Sequence, residues 1–205
     1  MSIPFLRMLG AGALSLLAAC AGPPPPAEPE EVARLAAAIA ALGPDVDRAE
    51  ARRAAEVSYA ETHRLAQDYG ITDPPIIHNT KVNLGLRPRG LCWHWAHDME
   101  KRLAQERFAT LELHRAVANA DNAFRLEHST AIVSARGAGY ADGIVLDPWR
   151  KGGRLTWVPV RADAAYNWEP RIEAVARTLE RRHGRIVTLT EDRRLVMGGV
   201  ELAPQ

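Results

Sequence analysis

Residues 90–107 read "GLCWHWAHDMEKRLAQER", and this stretch separates two parts of the chain with different periodicities. After Gly90 it contains no glycine or proline, so nothing interrupts a helix from Cys92 to Arg107. Its apolar residues recur at every fourth position, at Trp95, Met99 and Leu103. This spacing predicts one buried stripe along a helix. Cys92 then lies in the first turn of that helix.

Upstream of this stretch the patterns are helical. Glu30–Leu42 is rich in alanine and carries apolar residues at helical spacing, with Gly43 and Pro44 after it. Val46–Tyr69 predicts a second helix, capped by Asp45 and closed by Gly70. A short helix is expected near Ile77–Leu84. We interpret these helices as a packing layer.

Downstream the period changes to two, which is typical of strands. Four segments show it: "FATLELHRAV" (108–117), "FRLEHSTAIVSA" (124–135), "GIVLDPW" (143–149) and "RLTWVPV" (154–160). The turn-forming run "RGAGYADG" (136–143) favours a hairpin and hence an antiparallel sheet. A helix over 169–184 and a hairpin near Glu191 and Asp192 complete the pattern. Helices followed by a run of strands predict an α+β fold.

Length and charge restrict the possible functions. The 205 residues fit one main domain, predicted here over 30–205. The 26 basic and 25 acidic residues are scattered, so there is no electrostatic reason to expect a nucleic-acid partner.

The first residues look like a targeting segment. Residues 1–19 carry one charge, Arg7, before an apolar run that is too short to span a membrane. The run ends in "LAAC" (17–20), which resembles the lipobox of bacterial lipoproteins. The resemblance implies removal of 1–19 and acylation of Cys20, although a plain buried helix would also be apolar. The Pro-rich residues 20–29 would then act as a tether.

These features imply a protein held to a bacterial membrane through lipidated Cys20 and facing the periplasm. Ala21 favours the outer membrane slightly, because aspartate at that position is linked to inner-membrane retention. With Cys20 acylated, Cys92 is the only free thiol, in an oxidising compartment. A buried apolar cysteine is the simplest alternative, but the compartment and the neighbouring residues favour a reactive thiol.

Three polar residues fall where this architecture could bring them together. Cys92 lies at a helix start, where free N–H groups and the helix dipole favour a thiolate. His128 lies in a strand and could exchange a proton with the thiol. Asp147 ends the next strand, so adjacent antiparallel strands could place it beside His128 to orient the imidazole.

The ordered segments "GLCWHW" (90–95), "EHSTAIV" (127–133) and "GIVLDPW" (143–149) resemble the transglutaminase-like branch of the papain-like cysteine hydrolases. The resemblance covers 79–157, and implies a catalytic cysteine at a helix N-terminus packed on an antiparallel sheet. It implies Cys92 as nucleophile, His128 as general base and acid, and Asp147 as orienting carboxylate. The chain is much shorter than animal transglutaminases and has no acidic calcium loop, so cross-linking and calcium dependence are not implied.

The expected activity is hydrolysis of an amide or peptide bond in a protein, a peptide or the peptide part of peptidoglycan. Two alternatives stay open: acyl transfer to an amine, and a non-catalytic binding lipoprotein of the same fold. An oxyanion donor is expected by analogy with papain's glutamine, and Asn79 and Asn83 are the candidates. Trp93 and Trp149 are expected in the cleft wall, with Trp149 shielding the triad from water.

A metal site is the remaining possibility near Cys92. His94, His97 and Asp98 lie close by in sequence, but Cys92 and His94 are two residues apart and do not share a helix face. No second cysteine pair and no His-Glu-x-x-His spacing accompanies them. We therefore predict no metal and no cofactor, and interpret His94 and His97 as packed or surface residues.

Overall fold

The computed structural model describes residues 22–184, 186–189, 195–197 and 200–201. The predicted signal peptide 1–19 and the predicted lipidation site Cys20 lie outside the described residues. Within them the helices are α1 (Pro29–Ala40), α2 (Arg48–Asp68), α3 (Pro75–Asn83), α4 (Cys92–Ala104) and α5 (Arg171–His183). In the described part of the chain, no helix is both long and apolar enough to cross a membrane.

Two antiparallel sheets accompany the helices. The strands are β1 (Leu111–Ala118), β2 (His128–Ala135), β3 (Ile144–Asp147), β4 (Thr156–Pro159), β5 (Glu169–Pro170), β6 (Val187–Leu189), β7 (Leu195–Met197) and β8 (Val200–Glu201). The larger sheet has the order β4-β3-β2-β1-β5, and the smaller one has the order β6-β7-β8. The α+β prediction is therefore confirmed, with consecutive strands as neighbours from β1 to β4.

Several boundaries differ from the sequence prediction. The cap of α2 is Asp47, whose side chain accepts a hydrogen bond from the Glu50 amide, so the assignment to Asp45 was wrong. The predicted strand over 124–135 begins only at His128. Phe124, before it, is 99 % exposed. The apolar residues at the start of this segment alternate as in a strand, but no neighbouring strand pairs with them.

The two faces of the large sheet pack against different parts of the chain. On one face Ala131 and Val133 pack beneath Met99 and Leu103 of α4, in the main core that also includes α1 and α2. The opposite face carries the alternate residues of β2, beginning with His128. A second cluster with Ile132 and Trp168 covers that face. His128 therefore lies at the first residue of its strand, and residue 127 just before it contacts the first residue of α4.

Residues of the predicted tether contact the domain. The Pro24 carbonyl oxygen lies 3.1 Å from His63 Nδ1 on α2. The Pro24 ring lies beside Gly153 in the turn after β3. From Pro24 onward, this part of the segment is packed on the protein surface.

Candidate active site

The turn before α4 holds Cys92 in a fixed position. His94 Nδ1 accepts hydrogen bonds from the amides of Gly90 and Leu91, both at 3.2 Å. Trp95 Nε1 donates to the Gly90 carbonyl at 3.0 Å. The first helical residues thus bind back onto the turn that precedes them and satisfy its backbone groups.

Gly90 is required in this turn for two separate reasons. Its φ of 125° lies in the region that favours glycine. A Cβ built on Gly90 would also lie 2.3 Å from His78 Nε2. The His78 ring is itself buried and hydrogen-bonded through Nε2 to the Arg89 carbonyl at 2.9 Å. The ring therefore cannot move aside without losing that bond.

His128 and Asp147 form a buried pair. His128 Nε2 lies 2.6 Å from Asp147 Oδ2, and each side chain is only 1 % exposed. In the register of β2 and β3, Ala131 pairs with Leu146, so the two polar residues point to the same sheet face as diagonal neighbours. A carboxylate only accepts, so Nε2 carries the hydrogen and Nδ1 of the neutral ring is left as an acceptor.

The surroundings of His128 favour its charged form. Burial alone lowers the pKa of His128, but hydrogen bonding and charge from Asp147 and Cys92 outweigh it and raise the pKa to about 9. Cys92 therefore acts electrostatically on the same imidazole that Asp147 orients.

The thiol of Cys92 lies between the helix start and the strand. Its Sγ donates a long contact of 3.7 Å to the Glu127 carbonyl, one residue before His128. His128 Nδ1 is buried and has no partner at hydrogen-bond geometry among the described residues. No other described group competes for this atom, so it is available to hold the proton that the thiol gives up, and such contacts often tighten only when substrate binds.

Asp147 is held from its other side by a second buried ion pair. Arg150 Nε donates to Asp147 Oδ2 at 2.9 Å, and the Arg150 amide donates to Oδ1 at 3.1 Å. The same guanidinium donates twice to Asp163, at 3.1 and 2.7 Å. Trp168 Nε1 also donates to Asp163, at 2.9 Å. This network fixes both the position and the charge of the carboxylate that His128 faces.

Aromatic rings enclose the imidazole. The ring centroids of Trp149, Tyr166 and Trp168 lie 4.7, 4.6 and 5.4 Å from that of His128. Trp149 is where the sequence placed a shield, and it is buried. These rings exclude water from the hydrogen bond between His128 and Asp147, which strengthens it.

The two asparagines predicted as oxyanion donors differ in their contacts with this site. Asn79 Oδ1 accepts a hydrogen bond from Trp149 Nε1 at 3.0 Å, which ties it to the ring against His128. That bond leaves the Asn79 NH₂ group free to donate. Asn83 is one helical turn further on and exposed. Trp93 is 49 % exposed and lines an open cleft.

The neighbouring histidines have separate roles. His94 is buried, and this burial, assisted by the charge of Arg89, lowers the pKa of His94 to about 4. His97 has 54 % of its side chain exposed. Over the described ranges of the chain, no group of three or more His, Cys, Asp or Glu residues is placed to hold a metal ion.

Sequence reasoning did not find Arg150, Asp163, Tyr166 or Trp168. Arg150 stands three residues after Asp147, a spacing that a turn could have suggested. The other three come from the loop after β4, and no periodicity or motif marks them. Their role depends on the return of that loop over the sheet face that carries His128.

Comparisons with family models, curated proteins and solved structures found no match for this chain.

Proposed function

We propose that this protein is a cysteine hydrolase that cleaves an amide or peptide bond through Cys92, His128 and Asp147, on a transglutaminase-like, papain-like core. One observation carries the proposal: a buried imidazole is bound to a carboxylate through Nε2, while its open Nδ1 is under the influence of a thiol at a helix start. The buried ring of His78 also has an Nδ1 without a partner, so what distinguishes His128 is the carboxylate on its Nε2 together with the nearby thiol.

In the proposed reaction His128 Nδ1 holds the proton that the Cys92 thiol gives up, and the thiolate sulfur attacks the carbonyl carbon of the substrate. The tetrahedral intermediate collapses as the C–N bond breaks, and the leaving amine takes the proton from Nδ1. Water then attacks the thioester with His128 again as base, which releases the acid and restores the thiol. Asp147 stays ionised and stabilises the imidazolium.

The oxyanion of that intermediate needs donors. The amide N–H of Cys92 makes no hydrogen bond with any described residue. It is one candidate, and the Asn79 NH₂ group is the second. Removing one such donor reduces turnover by roughly 10²–10³-fold. We expect this loss for Asn79→Ala, and no comparable loss for Asn83→Ala, with turnover of p-nitrophenyl acetate as the measure.

The decisive experiment is the pH dependence of Cys92 alkylation by iodoacetamide. We expect His128→Ala to slow alkylation below pH 7 by about tenfold or more, because the imidazolium that stabilises the thiolate is lost. His97→Ala is the matched control on the exposed face of the same helix. Equal rates in wild type and His128→Ala would remove the catalytic premise, as would full turnover of the ester by Cys92→Ser.

Product analysis separates hydrolysis from acyl transfer. In the presence of a soluble primary amine, a hydrolase releases the acid, whereas a transferase releases the new amide. A non-catalytic binding protein would release neither at a rate that depends on Cys92.

The proposed location rests on the sequence of the N-terminal segment. We propose that acyl chains on Cys20 anchor the protein to a bacterial membrane, preferentially the outer one, with the enzyme facing the periplasm. Partition of the wild type into detergent, compared with Cys20→Ser, tests the anchor. Substrates would be proteins, peptides or the peptides of peptidoglycan.

A further inference from the structure

A cleft of about 890 Å³ begins at Trp93, the residue that follows the candidate nucleophile. It runs between the first turns of α4 and one side of α5, over β1 and β2. Trp93, the residue after Cys92, lines it, as do Glu127 and Ser129, the residues before and after His128 in sequence. The side chains of the triad are not part of its lining. Its volume suits a ligand of several residues.

Positive charge dominates this cleft. Five cationic side chains line it against two carboxylates, Asp98 and Glu127, and we call it the basic cleft. The cations are Arg89, Lys101, Arg115, Arg171 and Arg182. Asp98 is already bound to the Arg89 guanidinium at 2.8 Å and to the Tyr69 hydroxyl at 2.6 Å. It therefore does not neutralise the others.

Most of these cations lack partners. Lys101, Arg171 and Arg182 form no ion pair with any residue that the structure describes. Arg115 is more unusual, since its side chain is only 13 % exposed and its nearest carboxylate, on Glu100, is 3.5 Å away. Arg115 Nε is buried and has no acceptor among the described residues. An unsatisfied charged donor in such a position is costly, and an anion would relieve that cost.

Arg115 also connects the basic cleft to the thiol. Burial lowers the pKa of Arg115, attraction to Glu100 and Cys92 raises it, and repulsion from Arg171 lowers it. The guanidinium thus lies within electrostatic reach of both Cys92 and Arg171, which forms no ion pair with any described residue. A bound anion would lie between two guanidiniums in the cleft that starts at Trp93.

We propose that the basic cleft binds carboxylate groups of the substrate, so that the enzyme acts on peptides carrying an acidic side chain or a free terminal carboxylate next to the scissile bond. The inference rests on the proposed function of Cys92. Arg115 and Arg171 would hold one carboxylate, and Lys101 and Arg182 would extend the field along the cleft.

The first test uses three peptidyl acyloxymethyl ketones that are identical except for Glu, Gln or Lys beside the reactive group. We expect the Glu probe to label Cys92 about tenfold faster than the Gln probe, with the Lys probe slowest. The ratio should fall toward unity between about 20 mM and about 500 mM salt, because screening removes the attraction. Arg171→Gln and Arg182→Gln should each reduce the preference, whereas Arg154→Gln, an exposed arginine elsewhere, should retain it.

The second test is independent of catalysis. Binding to Cys92→Ala is measured for an acetylated Glu-containing peptide amide, its Gln counterpart, and the Gln peptide with a free C-terminal carboxylate. Tighter binding of the Glu peptide assigns the cleft to acidic side chains, and tighter binding of the free acid assigns it to chain termini. Equal binding of all three overturns the carboxylate proposal, even if iodoacetamide still shows a reactive, His128-dependent thiol. Conversely, an unreactive thiol with selective binding rejects the hydrolase alone.

Discussion

Gly90→Ala tests whether the turn before α4 is as constrained as its contacts indicate. The new Cβ would lie 2.3 Å from His78 Nε2 and 2.5 Å from its Cδ2, far inside normal contact distance. An alanine at φ 125° adds backbone strain of about 1–3 kcal/mol. Overpacking against a buried ring adds about 1–3 kcal/mol. We therefore expect a loss of about 2–6 kcal/mol in the free energy of unfolding, a large share of a typical total of about 5–15 kcal/mol.

Gly85→Ala supplies the matched control. Gly85 also has a positive φ, of 72°, but a Cβ there would meet nothing within 4 Å. Gly85→Ala should lower the free energy of unfolding by only about 1 kcal/mol, because it introduces backbone strain without a steric clash. Urea unfolding followed by tryptophan fluorescence measures both variants. The same Gly90→Ala protein should alkylate Cys92 more slowly, because Leu91 and the helix start are displaced.

Adding His78→Ala to Gly90→Ala separates the clash from the strain. If the ring is the obstacle, the double variant should be more stable than the sum of the single losses, by about 1 kcal/mol or more. The reasoning fails if Gly90→Ala costs no more than Gly85→Ala, or if the two substitutions at 78 and 90 are additive.

Three further predictions concern charge. The pKa of His128 is raised to about 9, so above pH 6.5 the folded state binds more protons than the unfolded state. The stability that the charged His128 contributes is complete below about pH 6.5 and is lost as pH rises through 9. Urea midpoints should show this loss in the wild type but not in His128→Gln. The pKa of His94 is lowered to about 4, so the stability that neutral His94 contributes to the fold is present above about pH 6.5 and is lost as pH falls through 4. His94→Gln should keep the helix cap and remove this acid dependence of the urea midpoint. Arg150→Met leaves the carboxylate of Asp163, which is 2 % exposed, without its ion pair and should cost about 3–5 kcal/mol in urea unfolding. Adding Asp163→Asn should recover part of that loss, and a variant pair without recovery would contradict the assigned pairing.

The sequence predicted those parts of the fold that local patterns determine. The stripe on α4 follows from burying one face of a helix, and the segments of β1 to β4 are bounded by turn-forming residues, so both are visible in the order of residues. The approach of His128 to Asp147 also followed, because a hairpin sets neighbouring strands side by side. The cap of α2 was wrong by two residues because Asp45 and Asp47 are chemically equivalent candidates, and the chain path chose between them.

The parts that depend on distant segments could not be predicted. Arg150 reaches Asp163 only because the chain after β4 folds back, and the aromatic enclosure of His128 depends on the same return. Arg115 pairs only with Glu100, at 3.5 Å, and its Nε has no acceptor among the described residues, which depends on how β1 packs against α4. Sequence gives the presence of an arginine, but only the packing shows whether a carboxylate is near enough to neutralise it.

The packing of Pro24 against His63 limits how far the domain can travel from its anchor. Cys20 precedes Pro24 by four residues, and four fully extended residues span at most about 14 Å. If Cys20 carries the lipid, the segment that is free to extend between the lipid and the domain is therefore shorter than the ten residues of the predicted tether suggest. Because Pro24 lies beside the turn at Gly153, the short segment before it also restricts rotation of the domain relative to the membrane. Such an enzyme would reach only substrates that lie within a thin layer at the membrane surface.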